Sequence, residues 1–103
     1  MNRTQKLLEY LSASPNDAFL QHALALEYIK MGEEPEAKKL LENVLNKNPE
    51  YIGSYYQLGK LLERTGNTEE AIQWYEKGMQ AAKQLDDQHS YSELQAAYED
   101  LAY

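Results

Sequence analysis

Slid against itself by 34 positions, this chain of 103 residues matches wherever backbone or packing demands a particular residue type. Pro15 falls on Pro49, Leu24 on Leu58, Ala25 on Gly59 and Gly32 on Gly66. Glu36 falls on Glu70, Ala37 on Ala71, Leu41 on Tyr75 and Leu45 on Met79. A fixed period of this length marks a stacked repeat, whose unit cannot bury its apolar face without neighbours.

Each period reads as two helices. In SPNDAFLQHALALEYIKM, Ser14 or Asn16 is the expected cap and Pro15 suits a helix start. Gly32 follows the helix end, where a residue free to take positive φ is needed. The next helix, PEAKKLLENVLNK, has Pro35 in its first turn, where a missing N–H is harmless. Ala37, Leu40, Leu41, Val44 and Leu45 form its 3.6-period apolar stripe. The second period repeats the plan: NPEYIGSYYQLGKLLERT runs to Gly66, then NTEEAIQWYEKGMQAAK opens with Asn67 or Thr68 as cap. Glu69 and Glu70 suit the helix dipole there.

The phase extends backwards, because Leu7, Leu11 and Pro15 lie one period before Leu41, Leu45 and Pro49. Residues 2–12 therefore read as a half-repeat helix, 15–48 as repeat 1 and 49–82 as repeat 2. Beyond Lys83 the match fades, yet Tyr91, Leu94, Ala97, Tyr98 and Leu101 keep a helical spacing. Residues 86–102 read as a capping helix. The expectation is a single all-α domain over 1–103, of about five helices and no strand.

The segments LGKLLERTGNTEEAIQWYEKGM and, more weakly, ALALEYIKMGEEPEAKKLLENVL resemble the tetratricopeptide repeat family. The Leu–small pair, the turn glycine, the second-helix Ala, an aromatic four residues later and a closing Pro fall at the family's spacing. Two departures stand out: Gln21 where the family favours a large aromatic, filled by Tyr55 in repeat 2, and Gly78 where Ala is usual. The resemblance implies antiparallel helix-turn-helix repeats stacked as a short right-handed α-solenoid. Ala25, Ala37, Gly59 and Ala71 are the small residues that let paired helices cross closely.

Composition narrows the function. There is no cysteine, so thiol chemistry, disulfides and Cys-based zinc sites are excluded. The net charge is −7, and residues 85–103 hold five acidic and no basic side chains. Nucleic-acid binding needs clustered positive charge, so it is not expected. No apolar run is long enough to cross a membrane and the N-terminus lacks a signal-peptide pattern, which makes the cytoplasm the default location. His22 and His89 lack ligand spacing, so no metal site is expected. No phosphate loop or nucleophile–base arrangement appears, so neither a cofactor nor enzyme activity is expected. The acidic pairs Glu33–Glu34, Glu69–Glu70 and Asp86–Asp87 read as solvated helix starts.

The family resemblance implies a protein-interaction module, an adaptor or scaffold binding a peptide or helix in a concave groove lined by first helices. By register the groove positions are Phe19, His22, Leu26, Ile29 and Lys30, then Gly53, Tyr56, Lys60, Glu63 and Arg64. Leu94 and Tyr98 of the capping helix are added to them. Tyr28, Tyr55 and Tyr75 read as core. Family members that clamp acidic chaperone tails have Lys and Asn where this chain has His22 and Leu26, so a ligand with apolar anchors fits better. The alternatives are burial of Phe19, Leu26 and Ile29 against a flanking helix, and self-association as a homodimer through the same strip or an end face.

Overall fold

The structure is a computed structural model describing residues 2–103, and it is helical throughout. The helices are α1 (Arg3–Ala13), α2 (Ala18–Lys30), α3 (Glu34–Lys47), α4 (Gly53–Arg64), α5 (Thr68–Gln84) and α6 (Gln88–Ala102). The count is six rather than about five, because two complete pairs and one helix at each flank sum to six. No strand occurs among the described residues. The chain packs as two compact units, Met1–Asn48 and Pro49–Tyr103.

In the first unit, α2 packs against both α3 and α1. Leu7, Ala23 and Leu24 form a buried cluster with Leu11, Leu20, Tyr28 and Leu40 packed around it. Ala25, Ala37, Leu41 and Val44 are fully buried, as the crossing of small residues requires. The expected caps shift: neither Ser14 nor Asn16 caps α2. Asp17 does, its carboxylate accepting from the Leu20 amide at 3.0 Å. Pro15 lies in the turn before the helix, where its carbonyl accepts a hydrogen bond from the Gln21 side chain at 2.7 Å.

That bond explains Gln21. One period later, the Tyr55 hydroxyl donates to the Pro49 carbonyl at 2.6 Å. Gln21 therefore reproduces the tyrosine's hydrogen bond with a smaller side chain. Its own amide oxygen accepts from Asn43 at 3.0 Å, so this buried polar group is satisfied at both ends.

In the second unit, α5 lies between its two partners α4 and α6. Tyr55, Leu58, Leu61, Leu62, Ala71, Tyr75, Ala82, Leu94 and Ala97 supply the core. Gly78 in mid-helix has a structural cause. A methyl group there would lie 2.7 Å from Tyr55 Cβ and 2.9 Å from Leu94 Cδ1.

Three inter-helix turns share one geometry. After α2, the Glu33 amide bonds the Tyr28 carbonyl at 2.9 Å and the Gly32 amide bonds the Ile29 carbonyl at 3.1 Å. After α4, Asn67 bonds Leu62 at 2.8 Å and Gly66 bonds Glu63 at 3.1 Å. After α5, Asp87 bonds Ala82 at 2.8 Å and Asp86 bonds Lys83 at 3.2 Å. This paired pattern is the Schellman motif, whose pivot sits in the left-handed region. The pivots are Gly32 at φ 77°, Gly66 at φ 83° and Asp86 at φ 57°. Asp87 then caps α6, accepting from the Ser90 amide at 3.1 Å.

Candidate functional site

The expected first-helix positions of the first unit lie on α2. Its other side is occupied: Leu20, Leu24 and Tyr28 pack with α1 residues Leu7 and Leu11. Phe19 stands outside that cluster and is 62% exposed. Leu26 and Ile29 are half-buried and likewise outside it. His22 is half-buried, and desolvation holds its imidazole below the ordinary value. Lys30 is exposed at the helix end and pairs with Glu27 at 3.3 Å, where Arg3 of α1 joins at 3.5 Å.

The second unit brings Tyr56, Lys60 and Glu63 together on α4, one turn apart in succession. The Lys60 ammonium lies 3.5 Å from Glu63 Oε2 and 5.5 Å from the centre of the Tyr56 ring. The Tyr56 ring packs on Tyr75 of α5 with centres 6.5 Å apart. The Tyr75 hydroxyl donates to the same Glu63 oxygen. Burial, with the Glu63 hydrogen bond and charge behind it, pushes the Tyr75 phenol well above its ordinary value. Tyr75 is a core residue, as its period requires, but its hydroxyl also fixes a carboxylate at the candidate surface. Sequence reasoning missed this second role; a phenol at the position of Leu41 was the available signal. Gly53 opens α4 and is exposed, and Arg64 is exposed at the helix end.

The capping helix divides the expectation. Leu94 is 1% exposed and belongs to the core against Gly78, so it presents nothing to a partner. Its helix turns that side onto α5, which the fading repeat register did not reveal. Tyr98 is half-buried, with its ring edge-on to Tyr103 at 6.3 Å. It borders a cleft with Glu76, Met79, Gln80 and Lys83 of α5 and Tyr91 of α6.

Among the described residues, no group of three or more His, Asp or Glu could hold a metal ion. No helix among them is long and apolar enough to cross a membrane.

Paired helices joined by Schellman turns, with small residues at the crossings, define a helical-repeat protein. The tetratricopeptide repeat model matches residues 28–98, and the chain belongs to that family. It is similar to a tetratricopeptide repeat domain protein from Salinibacter ruber, at TM-score 0.81 and 39% identity over 84% of this chain and 88% of that one. It shares its fold with the TPR2B domain of yeast Sti1, solved as a complex with pHsp70. That likeness has TM-score 0.88 and 16% identity over 96% of this chain and 79% of that one. The mouse (Mus musculus) interferon-induced protein with tetratricopeptide repeats 3 is 24% identical over 95 residues, which are 92% of this chain. This chain spans 23% of that relative's length.

Proposed function

We propose that the chain is a protein-interaction module that receives a peptide or helix of a protein partner on its first-helix positions. In the first unit, taken by itself, these are Phe19, His22, Leu26, Ile29 and Lys30; in the second, taken by itself, they are Tyr56, Lys60, Glu63, Arg64 and Tyr98. The observation that carries the reading is Phe19, a large apolar side chain left 62% exposed beside the half-buried Leu26 and Ile29. Apolar side chains grouped on one helix face are what helix-in-groove and extended-peptide recognition use as anchor points. The yeast Sti1 domain, whose fold this chain shares, is solved with pHsp70 bound. An acidic chaperone tail is not the ligand proposed here. His22 is half-buried, where desolvation disfavours its charged form, and Leu26 offers no polar group.

Selection from a random peptide library against the purified protein tests this. The selected peptides should carry apolar anchors and should lose binding to Leu26→Glu and Phe19→Ser variants that melt like the parent. Equal binding to those variants sinks the reading. Sedimentation equilibrium tests the homodimer in parallel. A dimer that Leu26→Glu disperses makes the strip a self-interface and puts self-association first.

A further inference from the structure

We propose that the cleft between α5 and α6 receives a cationic side chain from a basic segment of a protein partner. The cleft holds about 280 Å³ and is lined by Glu76, Met79, Gln80, Lys83, Tyr91 and Tyr98. Tyr91 and Tyr98 are two helical turns apart and so share one side of α6. Both tyrosines are half-buried and line the cleft.

The chemistry of the lining selects a cation. An aromatic face attracts an ammonium or guanidinium group through its quadrupole. The Glu76 carboxylate supplies the opposite charge, and it is the first cause of the raised Tyr98 phenol, so its field reaches that ring. Met79 offers a polarizable apolar bed for an aliphatic stem. The flanking sequence agrees, since residues 85–103 carry five acidic and no basic side chains.

The protein already uses this contact internally. The Lys77 ammonium lies 4.5 Å from the centre of the Trp74 ring. Lys83 also lines the cleft, and its charge opposes an incoming cation. It is exposed in the last turn of α5. This site shares Tyr98 with the positions proposed above but contains no α2 residue, so Leu26→Glu should leave it unchanged.

An acetylated hexalysine peptide is the probe, with hexaglutamate as its counter-probe, followed by NMR on the intact chain. The Met79 methyl and the Tyr91 and Tyr98 ring signals should shift to saturation with hexalysine and not with hexaglutamate. Glu76→Gln and Tyr98→Leu should each weaken binding about fivefold. Glu93→Gln, which removes the same charge outside the cleft lining, should change it by less than about twofold. Lys83→Ala should tighten it. The proposal is overturned if hexalysine does not bind, or if the cleft signals stay unmoved at saturation. It is equally overturned if Glu93→Gln matches Glu76→Gln, which would mean diffuse attraction to an acidic protein. Glu76 is exposed, so its variant decides the matter even if Tyr98→Leu disturbs α6.

Discussion

A methyl group on Gly59 would lie 2.1 Å from Cε1 of Tyr75, so the tyrosine ring fills the space any other residue at 59 would need. One period earlier the same two positions hold Ala25 and Leu41. The larger side chain in the second repeat is matched by the smaller one across from it. Gly59→Ala gains roughly 0.5–1 kcal/mol of helix propensity. It should still destabilise by about 1–3 kcal/mol through overpacking, because Tyr75 is fully buried and tied to Glu63. Urea denaturation measures this. Adding Tyr75→Leu restores the first repeat's pair, and the double variant should lose less than the two single losses summed. Ala71→Leu, at a fully buried position, should cost a similar about 1–3 kcal/mol.

Asp86 occupies, at φ 57°, the pivot that Gly32 and Gly66 fill in the other two turns. A non-glycine residue pays for the left-handed conformation, though Asp pays less than most. Asp86→Gly should stabilise by about 0.5–1 kcal/mol, read as a higher Tm. Gly66→Ala should destabilise by about 1 kcal/mol. Nothing lies within 4 Å of a methyl group there, so its cost is backbone conformation alone.

The Tyr75 phenol is held above its ordinary value by burial and by Glu63, so folding favours the protonated form. Its contribution is fully present below the unfolded value near 10 and is lost as pH rises beyond it, because unfolding then releases a proton. Stability should therefore fall steadily above pH ~10. The phenolate absorbance of Tyr75 should emerge only with unfolding. Tyr75→Phe should flatten that slope and cost about 1–2 kcal/mol at neutral pH, the low end for a bond to a charged group because Glu63 keeps Lys60.

His22 behaves in the opposite sense. Desolvation lowers its value below 6.5, so folding favours the neutral ring. Its contribution is present above the unfolded value and is lost as pH falls through 6.5 towards the folded one. An NMR titration should place its midpoint below 6.5, and His22→Gln should remove its part of the acid-side slope. A midpoint at or above 6.5 would refute the desolvated placement.

Much of this architecture was legible because repeats impose local demands. Gly32 and Gly66 must take positive φ, and a one-dimensional pattern carries that. Gln21 looked like a defect at an aromatic position until its bond to Pro15 showed that the position requires a donor reaching back to a proline carbonyl. Gly78 looked like a weak helix residue until Tyr55 and Leu94 were seen against it. The surface was less legible. Register offered Phe19, Leu26 and Ile29 as candidate positions, whereas Leu94, offered with them, is buried against Gly78, since the helix after the last full repeat has no preceding copy to set its phase.

The sequence by itself determined the paired helices, the turn positions and the small residues at the crossings. These rest on periodicity and backbone preference within a few turns of chain. Tertiary structure decided which side chains share space: Tyr75 against Gly59 and on Glu63, Leu94 in the core, and Tyr91 and Tyr98 opening onto α5. Those outcomes depend on volumes and hydrogen bonds between helices, and such partners are set by the packing of the whole unit rather than by spacing along one helix.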